Sequence, residues 1–223
     1  MKPLLPLLLL FALPAGLAAQ KSPTAQAMER LGYVDVHDQD STIQVSLMYA
    51  RPDNFTGRRL YADLREALLH PLAAQALVRA QRLLQARRPD LALKVFDAAR
   101  PMHIQQQMWD TVKGTPQQNY VSNPRNGGGL HNYGMAVDIS LCLAATGDTL
   151  DMGTVVDHLG PEAHIDREEQ LVSRHTISPQ ALENRRLLRQ VMQEAGFTPL
   201  RTEWWHFNLI SRAEARARYK PIP

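Results

Sequence analysis

Apolar positions recur along this chain in two periods, and they divide it into elements. Between Ala62 and Arg87, Leu64, Ala67, Leu68, Leu72, Ala76, Leu77, Ala80, Leu83 and Leu84 form a stripe at helical spacing. The pattern predicts a helix over 62–87, split or kinked at Pro71, whose ring crowds the preceding turn. Leu91–Asp97 (LALKVFD) reads as a strand, and a helix is expected from about His103 to Lys113. Ser178-Pro179 opens another helix, closed by Ala195-Gly196. Tyr33–Val36 and Ile43–Leu47 alternate as short strands, and further strands are expected over His131–Leu143 and Arg201–Ile210. Residues 20–30 read as a flexible leader, 114–129 as a polar glycine-rich loop, and 144–178 as mostly irregular. Together these elements imply an α+β fold. Its central, mostly antiparallel sheet is flanked by helices.

The first residues stand apart. Met1-Lys2 is a short basic start, Leu4–Leu13 is apolar, and Ala15–Ala19 supplies small residues. That is the pattern of a secretory signal peptide over 1–19, too short and wrongly flanked for a membrane span. An exported, periplasmic or extracellular protein is expected, with no membrane anchor after cleavage. Residues 20–223 suffice for one domain with a substantial core. Charge narrows the partners: 25 Lys and Arg stand against 22 Asp and Glu, without a basic run interleaved with aromatics. Nucleic acid is therefore a poor candidate partner. Cys142 is the single cysteine, so no intramolecular disulfide can form, and its Leu-Cys-Leu setting points to the core.

Chemistry concentrates in two places. Residues 127–138 read Gly-Gly-Gly-Leu-His-Asn-Tyr-Gly-Met-Ala-Val-Asp. His131 and Asp138 are seven apart, an odd separation that places them on opposite faces of a flat strand. A bend at Gly134 is expected to bring them together. Near the C-terminus, Glu203-Trp204-Trp205-His206 adds a second imidazole and a carboxylate. Two histidines and one carboxylate make a common zinc set, and a fourth position left to water makes such a site catalytic. Glu203, beside the ligand and off the metal, suits the role of general base.

The combination His131-x-x-Gly134-x-Ala136-x-Asp138 with Glu203-x-x-His206 resembles the zinc D,D-peptidases of the D-alanyl-D-alanine dipeptidase group, peptidase family M15. The likeness extends to Asn54-Phe55-Thr56-Gly57, Asp97-Ala98-Ala99-Arg100-Pro101 and Met152-Gly153-Thr154-x-x-Asp157. The resemblance implies one zinc ion per chain on His131, Asp138 and His206, with Glu203 as catalytic base. It further implies that Arg100 stabilises the oxyanion and that Asp157 receives the amine of a small D-amino-acid dipeptide. Many relatives carry serine two residues before the first ligand, where this chain has Gly129. Two other readings stand beside dipeptide hydrolysis. One is a D,D- or L,D-carboxypeptidase acting on peptidoglycan stem peptides, and the other is a non-catalytic zinc or cell-wall binding module. A base and an oxyanion donor together argue against the latter, since binding needs neither.

Overall fold

The computed structural model describes residues 20–223. The expected signal peptide, residues 1–19, lies outside them. The elements are α1 (Pro23–Arg30), β1 (Val34–Asp35), α2 (Val36–Gln39), β2 (Gln44–Val45), β3 (Leu68–Leu69), α3 (Pro71–Arg87), β4 (Leu91–Asp97), α4 (Met102–Val112), β5 (Ala136–Leu143), α5 (Glu168–Ser173), α6 (Pro179–Glu194), β6 (Thr198–Leu200), β7 (Glu203–Asn208) and α7 (Arg212–Arg218). Five strands form one sheet in the order β2-β4-β5-β7-β6, and β1 pairs with β3 in a separate ribbon. Only the β2–β4 pair is parallel. The architecture is the expected α+β one. Among the described residues, no helix is long and apolar enough to cross a membrane.

Strand alternation explains how one sheet serves both the core and a polar cleft. Val137, Ile139, Trp205 and Phe207 are fully buried and belong to the apolar core. Their neighbours Asp138 and His206 point to the other face. Helices α3 and α6 pack on each other and against the sheet. Cys142 is a free, buried thiol, as its apolar setting implied.

Several expectations need correction. The supposed leader folds as α1: Ser22 caps it by accepting from the Ala25 N–H at 3.1 Å, and Ala25 and Met28 are buried. Glu66 and Asp63 bind Ser22 and Thr24, a long-range attachment that periodicity cannot register. The helix expected over 62–87 begins only at Pro71, with His70 as its cap. Proline suits the first turn because its missing N–H would have no helical partner there. Leu64, Ala67 and Leu68 are buried from an irregular segment and from β3, which mimics a helical stripe.

The strand expected from His131 starts at Ala136. Before it, Leu130–Tyr133 makes one turn of 3₁₀ helix, ended by Gly134 in the left-handed region at φ 64°. Gly134 thus closes a turn and does not bend a strand. The C-terminal strand is a β6–β7 hairpin, and α5 lies within the segment expected to be irregular.

Gly134 is held to glycine twice over. Its backbone angle is strained for other residues, and an added Cβ would lie 2.6 Å from Tyr33 Cε1 and 2.8 Å from the His70 nitrogen. Gly134→Ala is expected to cost about 1–3 kcal/mol, read as a lower midpoint in denaturant unfolding. An unchanged midpoint would remove this role.

Candidate active site

Three adjacent strands deliver the central residues. In the pairing register Asp97 on β4 faces Asp138 on β5, and Asp138 faces His206 on β7. A register shift between Val95 and Asp97 lets Asp97 join this row. His131 arrives from the 3₁₀ turn, which is stitched to the end of β4. The Arg100 N–H donates to the His131 carbonyl at 2.9 Å, and Asn132 Nδ2 donates to the Arg100 carbonyl at 2.8 Å. A turn outside the strand thereby solves the odd spacing of His131 and Asp138.

The three side chains converge. His131 Nε2 lies 3.2 Å from His206 Nδ1 and 3.2 Å from Asp138 Oδ2, and His206 Nδ1 lies 3.0 Å from Asp138 Oδ1. The far nitrogens have their own partners. His131 Nδ1–H donates to the Ala98 carbonyl at 2.7 Å, and His206 Nε2–H donates to Asn208 Oδ1 at 2.8 Å. Those bonds select the tautomers, leaving two imidazole lone pairs facing each other beside a carboxylate. Acceptors gathered in this way need a cation or protons between them. The donor set, two nitrogens and an oxygen, fits a zinc-type ion, and the outer hydrogen bonds orient the rings as metal-ligating histidines require. Among the described residues this is the one group of three side chains with metal-ligand spacing.

Around it lies a cleft of about 360 Å³ lined by Arg100, Asp157 and Glu203 as well as the three convergent residues. Glu203 Oε2 is 3.9 Å from His206 Nδ1. Arg100 is buried and clamped: Nε donates to Asp97 at 2.8 Å, Nη1 donates to Gln105 Oε1 at 2.9 Å, and Nη2 also bonds Asp97. Its guanidinium sits over the Tyr49 ring at 5.3 Å. Three of its five N–H groups are so engaged, leaving two for a ligand. The Tyr49 hydroxyl donates to Asp157, a residue held at φ 63°. All six residues singled out in the sequence therefore line one cleft.

The sequence matches the Peptidase_M15 family, described as D-ala-D-ala dipeptidase, over residues 29–221. It is similar to a D-alanyl-D-alanine dipeptidase of Escherichia coli K12, 33% identical over 171 residues, covering 77% of this chain and 81% of that protein. Dipeptidases of the same name from Enterococcus faecalis V583 and Streptomyces coelicolor are each 29% identical. They cover 73% and 76% of this chain, and 83% and 87% of their own lengths. The chain belongs to the M15 peptidase family. M15 peptidases are metalloenzymes, and the convergent triad is where this member can hold its ion.

Electrostatics divide the carboxyl groups of this M15 member. Burial alone would raise Asp138, but His131 and His206 hold it well below the usual carboxylate range. Burial lifts Asp157 to about 7, with the nearby Asp138 charge adding to it. Burial likewise lifts Glu203 to about 8, opposed by His206 and reinforced by Asp138 and Asp157. A cation among the triad, or an ammonium at Asp157, favours the ionised forms. Arg100 opposes burial through Asp97, Tyr49, Tyr61 and Asp138, which keep it charged.

Several residues of the M15 site escape sequence reasoning. Tyr49, Asn208, Gln105 and Tyr61 carry no motif signal. Tyr61 donates to Asp97 Oδ1 at 2.6 Å and so fills the second oxygen of the carboxylate that clamps Arg100. Only Asn208 had a readable cue, two residues beyond His206 on the same strand face.

Asn208→Ala removes the acceptor that orients His206 and is expected to weaken metal affinity about 10–100-fold in chelator competition. Unchanged affinity would refute that role. A second expectation concerns the metal-free protein. Glu203 and Asp157 hold their protons more tightly folded than unfolded, so their stabilising contribution is complete below pH ~4. It is lost as pH rises through about 7 and about 8. Melting of chelated protein should fall across that window and less steeply in Glu203→Gln; parallel curves would contradict the shift.

Proposed function

We propose that this protein is a zinc-dependent dipeptidase that hydrolyses D-alanyl-D-alanine. The observation that carries the reading is one cleft in which a three-acceptor metal set meets a buried carboxylate and a clamped guanidinium. When bound, zinc supplies a Lewis acid for the peptide carbonyl and acidifies the attacking water. Glu203 takes the proton from that water and returns it to the leaving amine. Arg100 directs its two free N–H groups at the oxygen of the tetrahedral intermediate. A fixed donor aimed at that oxygen is worth roughly 10²–10³ in kcat. Asp157, oriented by Tyr49, pairs with the substrate's ammonium, and that pairing favours its ionised form.

The named activity of the relatives and the length-matched alignment support a dipeptide over a stem peptide. The role proposed for Asp157, pairing with a free amine, favours a dipeptide as well. Export through residues 1–19 would set the enzyme where peptidoglycan fragments occur.

Glu203→Ala is expected to keep one zinc per chain while losing nearly all turnover. Near wild-type turnover in that variant would disprove the assigned base. Free D-alanyl-D-alanine should be cleaved far better than a pentapeptide stem, and the reverse preference would point to the carboxypeptidase reading.

A further inference from the structure

The cleft has an unassigned cation. Arg212, the first residue of α7, lines it and donates from Nη2 to Ser122 Oγ at 3.0 Å. Among the described residues it takes part in no ion pair, whereas Arg100 is clamped by Asp97. Apart from Arg100, the other ionisable acids and imidazoles lining the cleft carry no positive charge to offer: Asp138, Asp157 and Glu203, with His131 and His206 turning lone pairs inward.

The place of Arg212 is set by a chain of contacts along the cleft wall. Asp157 accepts from Tyr49, Tyr49 lies under Arg100, and Arg100 donates to Gln105. Gln105 Nε2 then donates to the Ser122 carbonyl at 2.8 Å, and Ser122 Oγ holds Arg212. The wall is thus polar end to end. A carboxylate closes one end, a guanidinium closes the other, and the donor proposed for the scissile carbonyl lies between them. A dipeptide zwitterion has the same polarity, with ammonium, amide and carboxylate in that order.

Gly129 explains how Ser122 gains its place. The glycine has φ −105°, which any residue adopts, so its backbone does not call for glycine. Space does. A Cβ at position 129 would lie 2.8 Å from Ser122 Oγ and 3.3 Å from Ser122 Cβ.

We propose that Arg212, anchored by the Ser122 hydroxyl, receives the C-terminal carboxylate of the dipeptide at the end of the cleft away from Asp157. The inference rests on the dipeptidase reading and extends it. It makes the enzyme select substrates charged at both termini, with Arg212 reading one charge and Asp157 the other. A guanidinium donates two parallel N–H bonds to a carboxylate, which a neutral terminus cannot match.

The test compares zinc-loaded wild type, Arg212→Ala, Arg212→Lys and Ser122→Ala on D-alanyl-D-alanine and on its C-terminal amide. Wild type should prefer the acid. Arg212→Ala should raise KM for the acid about tenfold with kcat nearly kept, leave the amide unaffected, and so erase the preference. Arg212→Lys should restore part of it, because the charge returns without the fork. Ser122→Ala should show a smaller loss of the same kind. Equal losses on both substrates, a fall in kcat alone, or an intact preference in Arg212→Ala would overturn the proposal while leaving the dipeptidase reading standing. A wild type that cleaves neither substrate would overturn both.

Discussion

The pairing register of β4, β5 and β7 is the constraint on which the rest depends. It sets Asp97, Asp138 and His206 in one lateral row across three strands. Because side chains alternate, a slip by one residue would send Asp138 or His206 into the apolar core and bring Val137 or Phe207 into the cleft. The buried faces of Val137, Ile139, Trp205 and Phe207 therefore lock the polar row as firmly as they build the core. His131 needs no place in that register. Its turn hangs on the Ala98 and Arg100 backbones, so the end of β4 positions the fourth corner of the site.

Buried Asp97 links the row to the proposed chemistry. Its two oxygens take Tyr61 on one side and Arg100 on the other. Arg100 is thus oriented by a buried group outside the cleft lining, while Arg100 itself lines the cleft. The same enclosure makes the carboxyl groups costly to ionise. Asp138 stays charged because imidazoles surround it, whereas Asp157 and Glu203 are pushed upward by burial and by the nearby Asp138 charge. Such a cleft gathers more negative charge than it can hold unaided, and the proposed function relieves it with a metal at the triad and an ammonium beside Asp157.

Much of this was legible in the residues themselves. Leu91–Asp97 and Ser178–Gly196 carry their own patterns and stops, and both form as expected. Periodicity misled where burial came from elsewhere. Leu64, Ala67 and Leu68 face the core without a helix, and α1 is short enough that its attachment to Asp63 and Glu66 outweighs any pattern of its own. Tyr49, Tyr61 and Gln105 were invisible for a related reason, since each acts across 36 to 108 residues or through a single bond to another polar side chain.

The sequence by itself determined which residues meet in the cleft: His131, Asp138, Glu203 and His206 are imidazoles and carboxylates at motif spacing, and Arg100 and Asp157 lie in recognisable neighbouring motifs. It also determined the α+β class, because local periods report which face of an element is apolar. Only the tertiary structure decided how His131 and Asp138 meet, through a 3₁₀ turn closed at Gly134 in place of a bent strand. It also decided which ring nitrogens face inward and what Gly129 makes room for. Those properties depend on distances between residues far apart in the chain, which local composition and spacing do not encode.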